Sequence, residues 1–236
     1  MAGMTTLASP GSRPQPEQLL GLAVERAYTA FAGNRLGSSM AVRRHDVTSE
    51  EVAALGGPAR SVSAAAIDRW LPHAVTTWGS ARDLRALLPR VLELLTAGLL
   101  TTAPEVLFGK LRQARSTSWP AEEQAALEHV LAALWLTTLS RHPSPVGIPA
   151  DRVLTSLAEL GRAVSPYLED WKRVLAAGSA ESDAARRHLQ DLARRVEILH
   201  STGLGVGDLF WSPHPDEAAA LDAWLTSAST QAWLGR

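Results

Sequence analysis

Ser80-Ala81-Arg82-Asp83-Leu84-Arg85-Ala86-Leu87-Leu88-Pro89-Arg90-Val91-Leu92-Glu93-Leu94-Leu95 decides the fold class. Leu84, Leu87, Leu88, Val91, Leu92 and Leu95 return at intervals of three and four, which lines one side of a helix turning every ~3.6 residues. A half-buried strand would alternate instead. Ser80 stands where an N-cap hydroxyl belongs, and Pro89 inside the pattern predicts a kink or two abutting helices.

The same period extends in both directions. Upstream, Pro16 opens a first helix carrying Leu19, Leu20, Ala23, Ala27 and Phe31, which Gly33 stops. Thr48-Ser49-Glu50-Glu51 spells a capping box that starts a short helix ended by Gly56-Gly57-Pro58. Ser63 begins another with Ile67, Trp70 and Leu71 on one face, expected to continue to about Thr77. Downstream, Thr102 to Glu105 reads as a second capping box. Trp119-Pro120 opens the most apolar helix, Ala121 to Ser140, whose Leu127, Val130, Leu131, Leu134, Trp135 and Leu139 suit the centre of a bundle.

Arg141 to Pro149 is a Pro-rich break and the candidate boundary between two helical lobes. Further helices are expected near Ala150–Ala163, Pro166–Ala177 and Ser182–His200, then a Gly203-Leu204-Gly205-Val206-Gly207 linker, then Pro215–Leu225 and Ser229–Leu234. No fixed period marks a repeat solenoid. The expectation is an all-α, irregular multi-helix bundle of about ten helices. Residues 1–15, rich in Ala, Ser, Thr, Gly and Pro, read as a disordered tail, and residues 16–236 as a single helical domain.

Composition narrows the function classes. Hydrophobic residues make up 46% and charged residues 20% of 236, a globular balance. A formal charge of −1 removes the electrostatic footprint of a nucleic-acid binder. The absence of cysteine excludes disulfides, thiol nucleophiles and thiolate metal sites. Neither a basic flank followed by an apolar run at the start nor an uninterrupted membrane-length segment is present, so a cytoplasmic location is expected.

Catalytic motifs are incomplete. Glu197-x-x-His200 has the spacing of a di-iron helix pair, but no second copy exists. Gly203 to Asp208 lacks the Lys-Ser/Thr of a phosphate loop and follows a helix. Arg186, Arg187, Arg194 and Arg195 gather charge on one helix, yet Asp183, Asp191 and Glu197 offset it at helical spacing. Glu50-Glu51 and Glu122-Glu123 suit first helical turns. There is no Asp-Asp pair and no Gly-x-Ser-x-Gly elbow. No catalytic residue, metal site or cofactor is expected.

Tryptophan is over-represented, eight against three Phe and two Tyr. Trp70, Trp135 and Trp171 fall in line with Leu and Ala and read as core. Trp78, Trp119, Trp211 and Trp233 lie at helix ends or in loops, where an indole either covers the core or faces a partner.

Thr77-Trp78-Gly79, Asp83, Leu87 to Leu95, Pro104 to Leu107 with Gly109-Lys110-Leu111, Trp119-Pro120 with Glu123, Leu134-Trp135, Phe210-Trp211 and Ala223-Trp224-Leu225 together resemble a family of uncharacterised bacterial helical proteins. The resemblance covers approximately Leu19 to Leu234 and implies one cooperative helical unit, without an established activity. Many members carry a close cysteine pair before the segment equivalent to Thr48-Ser49-Glu50. Arg44-His45 stand here instead, so no metal or redox role carries over.

The candidate binding residues are therefore Trp78, Asp83, Arg90, Glu93, Lys110, Trp119 and Trp211. Arg90 and Glu93 suit a partly buried pair, and Lys110 reads as a surface lysine rather than an anion contact. The leading expectation is a non-catalytic helical interaction or adaptor protein, its partner another protein rather than nucleic acid or membrane. One alternative is a small-molecule binder or enzyme with a pocket inside the bundle or between the lobes, drawing on Asp68, Asp83, Arg90 and Glu93. Another is an immunity or antitoxin-like partner protein.

Overall fold

A computed structural model describes residues 14–37, 40–43, 47–204 and 213–235. Among these, eleven α-helices are present and no strand. They are α1 (Pro16–Ala30), α2 (Ser49–Ala53), α3 (Ala64–Trp70), α4 (Ala81–Thr96), α5 (Pro104–Gln113), α6 (Ala121–Ser140), α7 (Ala150–Leu160), α8 (Ser165–Ala176), α9 (Ala180–Ser201), α10 (Pro215–Thr226) and α11 (Ala228–Leu234). The fold is all-α. No described helix is long and apolar enough to cross a membrane. Most of the expected tail, the 205–207 part of the linker, Arg44-His45 and Phe210-Trp211 lie outside the described residues.

Most helix starts follow local chemistry. Thr48 and Glu51 close a reciprocal capping box on α2, and Ser80 and Asp83 do so on α4. Helix α4 runs through Pro89 as one element rather than two. The proline withholds only the N–H that would have met Arg85's carbonyl, while Leu84, Leu87, Leu88, Val91 and Leu92 on either side of it are almost wholly buried.

Three boundaries depart from the sequence reading. Helix α3 stops at Trp70 instead of about Thr77, because Pro72 diverts the chain into a 3-10 turn at Leu71–His73. Helix α1 ends at Ala30, with Phe31 at its C-cap ahead of Gly33. Thr102 does not cap α5: Ala103 holds that position and Pro104 opens the helix. The backbone N–H groups of Thr101 and Thr102 instead donate to the Asp68 carboxylate at 2.8–3.1 Å.

Helix α6 occupies the centre, packed against α1, α7, α8 and α9. It runs antiparallel to α1, since Phe31 meets Trp119 at one end while Arg141 pairs with Glu17 at the other. Across the Pro-rich break, Trp135 packs edge-on against Trp171 at 5.4 Å, and Trp171 lies 5.1 Å from Trp224. Trp135 Nε1 donates to Tyr167's carbonyl and Trp171 Nε1 to Ala185's, so these two indoles are buried with their polar atoms satisfied. The buried apolar side chains from Leu20 to Leu225 form one cluster.

Candidate functional site

The α4 helix turns a second face toward α1 and the 56–60 turn, and two of the candidate residues, Arg90 and Glu93, gather around that seam. Arg90 and Glu93 form the expected pair at 2.7 Å, partly buried, and Arg90 Nε also donates to Val62's carbonyl at 2.8 Å. Tyr28 on α1 donates its hydroxyl to the same Glu93 carboxylate at 2.5 Å. Burial pushes Glu93 up, but the hydrogen bonds from Tyr28 and Arg90 and the charges of Arg90 and Arg60 outweigh it, holding the carboxyl below its ordinary range. Burial, reinforced by Glu93, pushes the Tyr28 phenol far up, so it stays a neutral donor.

Arg60 completes the arrangement. Its guanidinium lies 3.7 Å over the Tyr28 ring centroid, pairs with Glu25 at 2.5 Å, and reaches Glu93 at 3.9 Å. A cation is thus held over one aromatic face and anchored by Glu25, with about half of its side chain still exposed.

Tyr28 and Arg60 line a cleft of about 780 Å³, within the ~300–1,000 Å³ span of small-molecule sites. Phe31, Leu87 and Pro89 form an apolar floor, and Arg35 and the Gly56-Gly57 turn form the far rim. Arg35 is exposed, with no hydrogen bond or ion pair to another described residue. Beneath the floor, Arg85 grips Glu123 with two hydrogen bonds of 2.6 and 2.8 Å, and Asn34 adds a third at 2.9 Å. This partly buried polar knot ties the α1 exit to α4 and α6.

Asp83 serves the neighbouring loop. It accepts from the Ser80 N–H and hydroxyl at 2.8 and 2.7 Å, with Gly37 N–H at 3.4 Å. Gly79 holds φ at +88°, a left-handed conformation that a side chain would strain, while a Cβ there would meet Asp83 and Met40 only in ordinary contact at 3.4 Å. Asp83 therefore positions the cleft's edge rather than lining it.

The remaining candidates lie elsewhere. Trp78 is 1% exposed and Trp119 is 7% exposed, so both cover core and neither presents an indole to a partner. Trp119 Nε1 donates to Ala114's carbonyl and its ring meets Phe31 edge-on behind the cleft floor. Lys110 is not a surface lysine but 7% exposed, its Nζ 3.3 Å from the Thr76 hydroxyl. Burial pulls its pKa down. Asp68 is held below the ordinary range because the Thr101 and Thr102 N–H groups outweigh the opposing effect of burial. It belongs to the α5 approach, not to the cleft. Trp211 lies outside the described residues.

Sequence reasoning missed Tyr28, Arg35 and Arg60. Tyr28 and Glu93 are 65 positions apart, and only Gly56-Gly57-Pro58 hinted at a turn that would carry Arg60 back to α1. No group of three or more His, Asp or Glu side chains suited to a metal ion occurs among the described residues. The chain matches no protein-family model, no curated protein and no solved structure.

Proposed function

We propose that this chain is a small-molecule-binding protein, and that its ligand is a planar aromatic acid seated between α1, α4 and the 56–60 turn. The observation carrying this reading is the half-exposed Arg60 guanidinium, held 3.7 Å over the Tyr28 ring centroid in a cleft that Phe31, Leu87 and Pro89 also line. An aromatic ring stacked on that guanidinium gains cation–π attraction and burial together. Arg35 at the rim meets the acid group as a charge-assisted donor. Among the described residues no Ser, Thr, His, Asp or Glu lines the cleft, and the proposal is binding without turnover.

Calorimetric titration of the full chain with 1-naphthoate, benzoate and cyclohexanecarboxylate tests it. Naphthoate binds most tightly and the non-aromatic acid most weakly. Arg60→Ala weakens naphthoate about tenfold, the magnitude expected for one desolvated cation–π contact. Equal affinity for all three acids, or no heat from any of them, overturns the reading. Arg60→Ala leaves Glu93 still held by Arg90 and Tyr28, so the fold survives the test.

A second reading keeps the interaction-protein expectation. Leu19, Leu22 and Leu136 stand 41%, 59% and 39% exposed and line one apolar groove where α1 meets α6. Contiguous exposed apolar surface of this kind marks docking faces. If docking is the function, Leu22→Glu abolishes capture of a specific protein by the immobilised chain, while Arg60→Ala does not.

A further inference from the structure

The Pro-rich 141–149 segment runs as a strap beside α9, and two imidazoles hold it there. His142 Nε2 meets Asp191 Oδ2 at 2.7 Å, and the His142 and His188 rings pack edge-on at 4.7 Å. His188, almost wholly buried on α9, places its Nε2 2.9 Å from the Arg141 carbonyl. A carbonyl only accepts, so that nitrogen donates, and the neutral ring carries its proton there. Val146 and Ile148 follow in the strap, both buried as part of the apolar core.

The two rings respond to acid in opposite ways. A second proton on His142 keeps its Nε2 donor and turns the contact with Asp191 into an ion pair. On His188 it places a charge in a buried position beside another imidazole, with no carboxylate of the described residues in hydrogen-bond reach. Burial outweighs the Arg141 and Thr138 carbonyls and the Asp191 charge, His142 adds to it, and the ring is held below the ordinary imidazole range. The charged groups around the pair are Asp191, Arg194 and Arg195 on α9, Asp151 on α7 and Arg141 in the strap, while α6 presents the Thr138 carbonyl. Asp191 is engaged by His142, Asp151 by Arg195, and Arg141 by Glu17 of α1. Burial pushes Asp151 up, so acid also loosens its hold on Arg195, an effect that a His188 variant leaves intact.

We propose that the strap is a pH-sensitive latch, closed on α9 while His188 is neutral and released as that ring gains a proton, which bares Val146 and Ile148. The direction follows from linkage. An open strap leaves His188 in solvent at its ordinary value of about 6.5, whereas the closed strap binds fewer protons. Closure is therefore complete above about 6.5 and weakens as pH falls below it. With the closed ring neutral throughout, the open population rises about tenfold between pH 7.5 and 5.5.

Ser144 supplies the reporter, because its hydroxyl is buried within the strap without a hydrogen-bond partner and the chain has no cysteine. The full chain carrying Ser144→Cys is labelled with 4,4′-dithiodipyridine. Its rate at each pH is divided by that of an unstructured peptide spanning 140–148 with the same substitution. The ratio rises about tenfold from pH 7.5 to 5.5. Adding His188→Gln flattens it to within about twofold, since glutamine keeps a donor for the Arg141 carbonyl and has no proton to gain. Adding His142→Gln leaves the rise in place. A flat ratio in Ser144→Cys, or an equal rise with His188→Gln, overturns the proposal. The parent chain answers even if a variant fails to fold: long-range 1H–15N correlation shows His188 as the neutral Nε2–H tautomer at pH 7.5 and at pH 6.5. A charged His188 ring at pH 6.5, with the strap resonances unmoved, overturns it equally.

Discussion

Glu93 accepts from a phenol and a guanidinium at once, and that crowding sets its titration. Its folded pKa is depressed, so its contribution to stability is complete above the ordinary carboxylate value of about 4.3 and is lost as pH falls through the lower folded value. The group remains about a third exposed, so solvent screens the effect to about 1 kcal/mol. Glu93→Gln removes that amount at neutral pH. Its urea midpoint then falls less steeply than the parent's between pH 5 and 3, as paired denaturation curves will measure. Lys110 carries the opposite sign. A base whose folded pKa is lowered binds fewer protons folded than unfolded between the two values, so stability rises with pH toward about 10.4. Lys110→Met replaces a poorly partnered buried ammonium with an apolar chain of similar length. It raises the melting temperature at pH 7 by about 2–4 °C, corresponding to about 1 kcal/mol in a chain of this size, and flattens the alkaline rise. A fall in melting temperature would show that the Thr76 contact outweighs burial.

Helix starts separate what a sequence can specify locally from what it cannot. Ser80 and Asp83 satisfy each other's backbone donors three positions apart, a relation written into adjacent letters, and the α2 box is of the same kind. Thr102 and Glu105 have identical spacing, yet Pro104 already supplies the first turn of α5 and Asp68, over thirty positions away, takes the Thr102 N–H. The competing partner was invisible to pattern reading. Ser80→Ala therefore costs about 1 kcal/mol, whereas Thr102→Ala stays within about 0.5 kcal/mol, and chemical denaturation of the two variants side by side distinguishes them. Equal losses would mean that Thr102 caps after all. The same contrast explains the candidate residues. The Arg90–Glu93 pair lies within one turn and was readable. Tyr28 and Arg60 join it only through the packing of α1 and the 56–60 turn on α4, and nothing in their own neighbourhoods announces it. Trp78 and Trp119, held at helix ends, read equally as core cover or as partner contacts, and the fold turns both over the core.

At the scale of the molecule, the three-and-four period determined the class, because buried Leu and Trp at that spacing leave no rhythm for a sheet. The centre of the core crosses the Pro-rich break through Trp135, Trp171 and Trp224, so the helices on either side share one apolar interior. Unfolding followed by far-ultraviolet circular dichroism and by tryptophan fluorescence accordingly gives a single coincident transition. Trp135→Ala shifts it by about 3–5 kcal/mol. Two separated transitions would assign the halves to independent units. Among the clefts that the shared core leaves at its margins, the Tyr28–Arg60 cleft bears the functional proposal. Its most direct test is a crystal structure of the chain soaked with 1-naphthoate. The predicted density is a ring parallel to the Arg60 guanidinium above Phe31 and Leu87, with the carboxylate turned toward Arg35. A ring seated instead on Leu19, Leu22 and Leu136, or an empty cleft at saturating naphthoate, would contradict it.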